Sequence, residues 1–343
     1  MIKTLAGQVK EFKKDSILTP FFMILEVIME MIIPLLMSSI IDDGVERGDI
    51  HHIYIIGIWM VVAAGIGLFA GIMGGKYGAR ASPGFARNLR QAMFENIQTF
   101  SFSNIDKFST PSLVTRMTTD VTNLQNSYQM LLRMCVRAPF SLICAMIMSF
   151  SVNVKLASIY LVAVLVLGAF LALIIWRAMG YFTAMFKKYD DLNASVQENV
   201  SAIRVVKAYV REKYEKSRFT KASGNVYRMA VKAERIVSFN SPLMMLTVYS
   251  CILGISWLGA KMIVQSVLTT GELMMLLAYC MSILMNLMML SMVFVMLSMS
   301  VASAERVSEV LNEIPDIVNP DHPLYEVKDG SIVFDHVSFR YNK

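Results

Sequence analysis

The stretch Leu156–Trp176 of the sequence, LASIYLVAVLVLGAFLALIIW, contains no charged residue. A helix of about 20 apolar residues is long enough to cross the hydrocarbon core of a bilayer, which is ~30 Å thick. A helix in lipid satisfies its own backbone hydrogen bonds and excludes charged side chains, so such a stretch suits a membrane much better than a soluble core. The stretch therefore predicts a membrane protein.

Further apolar stretches flank this one along the chain. Of the 343 residues, 55% are hydrophobic and 17% are charged, and the charges lie between the apolar stretches. This pattern predicts an all-α membrane protein with six transmembrane helices. The predicted spans are about 16–41, 53–75, 136–154, 156–176, 236–260 and 273–304.

Basic residues are distributed unevenly between the two sides of the predicted membrane. All but three of the 32 lysines and arginines lie before the first span, in the segments 76–137 and 177–235, or after residue 300; the exceptions are Arg47, Lys155 and Lys261. Cytoplasmic segments are enriched in Lys and Arg, so both termini are predicted to be cytoplasmic. Topology alone explains the net charge of +6, and we expect neither nucleic-acid binding nor a metal site.

The two cytoplasmic connections, residues 76–135 and 177–235, are much longer than the outer ones. The stretch 194–219, ASVQENVSAIRVVKAYVREKYEKSRF, repeats apolar residues every three or four positions, which predicts a helix. Because a helix rises 1.5 Å per residue, about 30 residues extend ~45 Å beyond the membrane. Each connection is therefore predicted to be two long helices that turn at a tip, near 101–112 and near 208–216.

The segments outside the six spans have their own patterns. Residues 1–15 predict an N-terminal elbow helix that lies on the membrane surface. The six-helix domain then covers 16–304, and residues 305–330 form a linker. Residues 331–343 alternate between apolar and polar side chains, as in a half-buried β-strand.

Several motifs occur along the chain in a fixed order. They are PLLMSSIIDDGVERGD (34–49), SLVTRMTTDVTNLQ (112–125), LLRMCVRAP (131–139), TTGELMMLLAY (269–279) and SAERVSEVLNEIPDI (303–317). With these motifs the chain resembles the type-1 transmembrane domain of ABC exporters over nearly its whole length. It looks most like one subunit of the heterodimeric bacterial multidrug exporters.

The resemblance implies a mechanism of alternating access in the bacterial inner membrane. Two such subunits, here a subunit and its paralogue, would pair, and ATP and Mg²⁺ would bind to nucleotide-binding domains. Residues 331–343 resemble the first strand of such a domain, in which Tyr341 would stack on adenine. The sequence contains no G-x-x-x-x-G-K-[ST] motif and no predicted catalytic residue. The resemblance therefore implies that the full-length protein is an ATP-hydrolysing translocase whose motor is not in this chain.

The resemblance also implies that the two tips couple the motor to the membrane helices. The residues expected at the first tip are Asn104, Ile105, Lys107 and Phe108. Those expected around the second tip are Ala208, Tyr209, Arg211, Glu212 and Tyr214. The alternative is that all of them are ordinary helix-turn residues.

A substrate cavity is predicted from two features of the spans. The sixth span is rich in methionine, whose flexible side chain adapts to apolar molecules of different shape, although methionine also fills lipid-facing volume as leucine does. The first span holds two acids, which would attract cationic compounds or pair with Arg133 or Arg137. The residues expected to line the cavity are Glu26, Glu30, Met281, Met285, Asn286, Met288 and Met292.

These patterns favour a subunit of an ATP-driven exporter of lipophilic or cationic drugs and related amphiphiles. An exporter of lipids or peptides with the same fold is an alternative, and the composition of the cavity separates the two poorly. A gradient-driven secondary transporter is a third possibility. Such a transporter would have paired helix interruptions near the middle of the membrane, which the sequence lacks, and it leaves the long cytoplasmic arms unexplained.

Overall fold

The computed structural model describes residues 1–318, 322–323, 325–326 and 329–338, apart from the side chains of Val295 and Met299. Over these residues the chain is helical and contains no strand. The helices are α1 (Ile2–Gly7), α2 (Lys13–Ser39), α3 (Ile50–Ile97), α4 (Phe102–Phe108), α5 (Thr110–Thr115), α6 (Val121–Val152), α7 (Val154–Ser201), α8 (Ile203–Ala208), α9 (Glu212–Val237), α10 (Asn240–Val264) and α11 (Thr270–Asn312). A 3-10 turn, Lys10–Phe12, precedes α2, and π-helical turns follow α2 (Ile40–Val45) and precede α6 (Arg116–Asp120).

Six helical segments of the described chain are long and apolar enough to cross a membrane, which confirms the six predicted spans. They contain α2, α3, α6, α7, α9 with α10, and α11. Helices α3 and α7 have 48 residues each, which corresponds to ~70 Å and more than twice the hydrocarbon thickness. The predicted long extensions are therefore continuous with the membrane helices.

The boundary between the third and fourth membrane helices lies at Asn153, slightly before the predicted position. The Asn153 side chain accepts hydrogen bonds from the backbone N–H groups of Lys155 (3.1 Å) and Leu156 (3.2 Å). It therefore caps α7, because the first N–H groups of a helix have no partner within the helix. The single-residue connection predicted here exists, but Asn153 forms it.

Helix α11 continues to Asn312, beyond the predicted end of the sixth span at residue 304. The last turns of α11 bury Val307 and Val310 completely. This burial stabilises the helix outside the membrane, and Pro315 is the first helix-breaking residue that follows. The first part of the predicted linker is therefore helix.

Two apolar cores hold the helices together. The membrane core joins α2, α6, α7, α10 and α11, and it contains two buried tyrosines. Tyr160 donates a hydrogen bond to the backbone oxygen of Leu276, and Tyr279 donates one to that of Met31, each at 2.8 Å. Buried tyrosine hydroxyl groups need such partners, and these two connect α11 to α7 and to α2.

The second core lies beyond the apolar stretches, where α3, α6 and α11 extend past the membrane-spanning segments. Leu89 and Met93 of α3 pack there with Phe108 of α4, Val121 of α6 and the last turns of α11. The first tip is thus packed against the extensions of the membrane helices. A movement of this tip would therefore act directly on α3, α6 and α11.

The second long connection is built differently, because the C-terminal half of α7 packs mainly against α9. Its tip runs from the end of α7 through α8 to α9, a little earlier in the chain than predicted. Apolar side chains remain exposed near this tip, including Val200 at 65% and Tyr209 at 75%. An arm with this exposed apolar surface is suited to contact another domain or subunit.

The two ends of the chain differ in regularity. The predicted elbow corresponds to α1 and the 3-10 turn, and α2 begins at Lys13. Residues 331–338 have no regular secondary structure. A strand needs a neighbouring strand to pair with, so the predicted strand at 331–343 stays a prediction. Tyr341 lies outside the described residues.

Candidate functional site

Glu26 and Glu30 on α2 bind one arginine of α6. The Arg137 Nη1 atom lies 2.8 Å from Glu26 Oε1, and its Nη2 atom lies 3.1 Å from Glu30 Oε2. The two acids are one helical turn apart, so both face the same guanidinium. Of the two predicted partners, Arg137 therefore binds both acids, and Arg133 binds neither.

A cavity of about 520 Å³ lies beside this ion-pair cluster, between α2, α3 and α6. Its α3 wall includes Gly67 and Gly71. A side-chain carbon added at Gly71 would lie 3.4 Å from the Glu26 carboxyl group, so small residues here let α3 approach the acid. The volume is within the 300–1,000 Å³ that ligand sites usually occupy.

The predicted methionines form a stripe on one open face of α11. All four are between 44% and 66% exposed, and their spacing of four, three and four residues keeps them on one side of the helix. They are Met281, Met285, Met288 and Met292, and we refer to them as the methionine stripe. The stripe does not border the cavity beside Glu26, whose described lining comes from α2, α3 and α6.

Asn286 does not lie on the face of the methionine stripe. Its side-chain amide donates hydrogen bonds to Ser141 Oγ of α6 (2.9 Å) and to the Ser282 backbone oxygen (2.7 Å). One helical position corresponds to a rotation of about 100°, so Asn286 points towards α6 while Met285 faces outwards. Asn286 thus joins two helices instead of adding a polar group to the stripe.

The first tip is bound to the end of α11 through Asn104 and Lys107. The Asn104 side-chain amide donates to Glu313 Oε1 (2.9 Å) and to the Ile314 backbone oxygen (3.2 Å), and its Oδ1 accepts from the Asp316 N–H (3.3 Å). Lys107 Nζ lies 2.7 Å from Glu313 Oε2. We call these contacts the tip clasp.

The electrostatics of the tip clasp favour the charged forms of both side chains. Hydrogen bonds from Lys107 and then Asn104 lower the pKa of Glu313. The hydrogen bond to Glu313 raises the pKa of Lys107. Asn104 is only 2% exposed, so its hydrogen bonds are shielded from water. The tip therefore follows the end of α11 closely.

The other two predicted residues of the first tip differ in their surroundings. Phe108 is buried, and the Arg116 guanidinium lies 4.8 Å from the centre of its ring. Arg116 Nη1 also donates to the Arg306 backbone oxygen (2.8 Å) and to Glu309 (2.7 Å). Ile105 is partly exposed beside them.

Asp120 is a buried residue of this region for which no role is predicted from the sequence. Its carboxylate accepts hydrogen bonds from Ser303 Oγ (2.9 Å) and Arg306 Nε (2.7 Å). Burial raises the pKa of Asp120, but the hydrogen bonds from Arg306 and Ser303 outweigh it, so the pKa lies below its ordinary value. The sequence around Asp120 has no residue spacing that indicates a buried ion pair. Its partners lie on α11, which only folding brings next to Asp120.

The predicted residues of the second tip lie at the far end of the α7–α9 arm. Tyr209 and Tyr214 are 75% and 62% exposed. Lys207 Nζ and Glu212 Oε1 form an ion pair of 3.0 Å across the turn. Ala208 and Arg211 lie in the same turn, on either side of Tyr209. These residues form an open surface, in contrast to the first tip.

At the opposite end of the molecule, Asp42 connects the outer ends of α2 and α11. Its carboxylate accepts hydrogen bonds from Thr269 Oγ1 and from the Gly271 N–H, both at 2.7 Å. A side-chain carbon at Gly271 would lie 2.5 Å from Asp42 Oδ2 and from the Ser38 backbone oxygen. Only glycine allows this close approach.

Comparison with known proteins identifies the architecture. A model of the ABC transporter transmembrane region matches residues 16–302. The chain belongs to the ABC transporter family. With its six membrane helices it is therefore a multi-pass membrane protein, and it contains the membrane domain of an ABC exporter.

Three relatives illustrate the range of the ABC transporter family around this chain. The Bacillus subtilis ABC transporter ATP-binding protein YfiB is 34% identical over 93% of this chain and 56% of its own length. A probable multidrug resistance ABC transporter ATP-binding/permease protein of Bacillus subtilis is 27% identical over 92% of this chain and 54% of its own. A fatty acid ABC transporter ATP-binding/permease protein of Mycobacterium tuberculosis is 26% identical over 74% and 40%.

This ABC transporter chain spans about half the length of the relatives it matches. Those relatives are named as ATP-binding proteins, so ATP use is expected in the family. The described residues contain neither a phosphate-binding loop nor a group of three His, Cys, Asp or Glu side chains that could hold a metal ion.

Proposed function

We propose that the full-length protein is an ATP-driven exporter of lipophilic compounds and that this chain provides half of its membrane pathway. The proposal rests on two features of α11, one in its membrane part and one at its C-terminal end. Its membrane part presents the methionine stripe, and its cytoplasmic end is bound by the tip clasp. A movement of the tip would thus reach the stripe along one continuous helix.

The pairing and orientation belong to the same proposal. The exposed methionine stripe and the exposed apolar tip of the α7–α9 arm both favour a second subunit, most simply a paralogue in a heterodimer. ATP with Mg²⁺ would bind in nucleotide-binding domains, with Tyr341 against the adenine. The basic cytoplasmic connections favour an inner bacterial membrane with both termini in the cytoplasm.

The substrate class within this proposal is lipophilic amphiphiles. A preference for cations has less support than the sequence suggested, because Arg137 binds both Glu26 and Glu30. Glu30 is the more exposed of the two acids, at 46%, and is the group left for a cationic substrate. The relatives named for multidrug resistance and for fatty acids lie at similar identity, so lipid export is the second candidate.

Transport in vesicles tests the proposal. The full-length protein, with any subunit that co-purifies, is reconstituted in proteoliposomes, and uptake of a lipophilic dye is followed with ATP and Mg²⁺ or with an imposed proton gradient. We expect uptake with ATP and Mg²⁺ in the absence of a proton gradient. Uptake that requires the gradient and ignores ATP would overturn the proposal and favour a secondary transporter.

A further inference from the structure

The cavity between α2, α3 and α6 contains a basic group that the ion-pair cluster does not use. Two arginines border the cavity, and Arg137 is occupied by Glu26 and Glu30. The guanidinium of Arg133 forms no ion pair and no hydrogen bond with the described residues. Its five N–H donors are therefore available to a ligand in the cavity.

Arg133 lies at the depth where the hydrocarbon core gives way to headgroups. A side-chain carbon added at Gly78 of α3 would lie 3.4 Å from Arg133 Cδ and 3.4 Å from Thr19 Cγ2, so the arginine stem crosses α3 at this level. Lys76 is the first charged residue after the apolar stretch of α3. An arginine here meets the phosphate groups of the cytoplasmic leaflet.

From this level the cavity continues towards the middle of the membrane. It follows α3 past Gly71 and Gly67 to Ala63, all small residues, with Leu68 and Ile72 beside them. The α3 wall of the cavity runs from Ile72 to Ala63, ~14 Å along the helix, which is close to the thickness of one leaflet of a ~30 Å hydrocarbon core. The cavity can thus hold an acyl chain whose headgroup remains beside Arg133.

The charges around the cavity select the sign of that headgroup. Arg137 offsets one of the two carboxylate charges of Glu26 and Glu30 deeper in the membrane, and Arg133 is the charge at the entrance. Guanidinium groups bind phosphate through paired hydrogen bonds, and this interaction is strong beside an apolar surface. At the entrance an anionic headgroup gains this contact, whereas a cationic headgroup beside Arg133 is repelled.

We propose that the cavity between α2, α3 and α6 is a binding site for an anionic phospholipid of the cytoplasmic leaflet. The phosphate binds to Arg133, and one acyl chain lies along the small residues of α3. This inference concerns occupancy of the site and does not depend on the proposed transport activity. The lipid is either a permanent component of the site or an amphiphile on its way into the pathway.

Native mass spectrometry of the intact transporter measures this site directly, with phosphatidylglycerol, phosphatidylcholine and oleate as probes. Loss of one arginine–phosphate contact is expected to weaken phosphatidylglycerol binding roughly tenfold in Arg133→Gln. Arg133→Lys keeps the charge and should retain most of the binding. Arg177→Gln is the matched control, because Arg177 is an exposed arginine at the cytoplasmic end of another membrane helix.

A second variant tests the acyl chain separately from the charge. Ala64 is exposed and borders the cavity, so Ala64→Phe fills the groove and leaves Arg133 in place. It should weaken phosphatidylglycerol binding, although no charge has changed. An unchanged thermal unfolding midpoint verifies that each variant is folded.

Three results would overturn the inference. Equal losses in Arg133→Gln and Arg177→Gln would indicate general attraction to the membrane surface. Equal binding of phosphatidylglycerol and phosphatidylcholine would exclude recognition of an anion. Binding of oleate without phosphatidylglycerol, lost in Arg133→Gln, would assign the site to a free carboxylate amphiphile. None of these results depends on ATP-driven transport, so the two proposals can fail separately.

Discussion

The Asn104 side chain on the first tip donates a 2.9 Å hydrogen bond to Glu313 at the end of α11. Residues more than 200 positions apart thus hold this tip against the helix that carries the methionine stripe. The second core beneath them, with Phe108 and Val307, supports the same arrangement. The first tip and α11 therefore move as one body.

Removal of the Asn104 side chain is expected to loosen α4. Asn104→Ala removes a buried amide that hydrogen-bonds to Glu313, Ile314 and Asp316 and, at the start of α4, to Ser101. Its loss costs ~1–3 kcal/mol and leaves the Ile314 carbonyl without its donor. Hydrogen exchange of the α4 amides should become faster in this variant. Asn193→Ala, at an exposed position of α7, is the control. Unchanged exchange in α4 would mean that the apolar core alone holds the tip.

The tip clasp should withstand a wide range of pH. Glu313 has a lowered pKa, so its contribution is present above its ordinary value of 4.5 and is lost as the pH falls through the lowered value. Lys107 has a raised pKa, so its contribution is present below 10.5 and is lost as the pH rises through the raised value. Hydrogen exchange of α4, corrected for the intrinsic pH effect, should be constant from pH 5 to pH 9. A transition near neutrality would contradict this assignment.

Removal of Arg306 should destabilise the protein more than neutralisation of its ion-pair partner Asp120. Arg306→Met leaves the 1% exposed Asp120 carboxylate without its main donor, which should cost ~2 kcal/mol, less than a fully buried pair because Arg306 is 47% exposed. Asp120→Asn keeps a hydrogen-bonding group and leaves Arg306 in contact with water. The thermal unfolding midpoint should therefore fall further in Arg306→Met. Arg235→Met is the exposed control, and the reverse order would refute the argument.

At the outer end, Gly271→Ala should separate α2 from α11. The added carbon would lie 2.5 Å from the Asp42 carboxylate and the Ser38 carbonyl, so two hydrogen bonds to Asp42 must lengthen or break. Distances between spin labels on the outer ends of the two helices should increase or broaden. Gly254→Ala in α10, where the added carbon meets open space, should leave these distances unchanged. A narrow, unshifted distance in Gly271→Ala would mean that the contact at Asp42 is easily rearranged.

The sequence predicts the six membrane helices well, because the bilayer imposes a length and a composition on each of them. The stretch Leu156–Trp176 is sufficient to identify one span without any tertiary information. The exact ends depend on local capping that composition does not reveal, as at Asn153. The end of α11 was missed because packing of Val307 and Val310 stabilises a helix beyond the membrane.

The side-chain partners were harder to predict than the helices. Helical spacing places the four methionines on one face of α11, and the structure has them there. The same spacing separates Asn286 from Met285 by about 100°, so the two side chains lie on different faces. Whether Arg133 or Arg137 pairs with Glu26 and Glu30 depends on how α6 is rotated about its axis relative to α2. The sequence alone does not determine that rotation. The tip clasp joins distant segments, and only the folded chain brings Asn104 to Glu313.

Charge reversal across the tip clasp tests most directly whether the first tip and α11 form one lever. The variants are Lys107→Glu, Glu313→Lys and the double reversal, each in the intact transporter, and the measurement is the amount of dye transported per ATP hydrolysed. We predict that each single reversal lowers this ratio several-fold, because two like charges then face each other where Nζ and Oε2 are now 2.7 Å apart, and that the double reversal restores it. Single reversals that leave the ratio unchanged, or a double reversal that is no better than either one, would contradict the account.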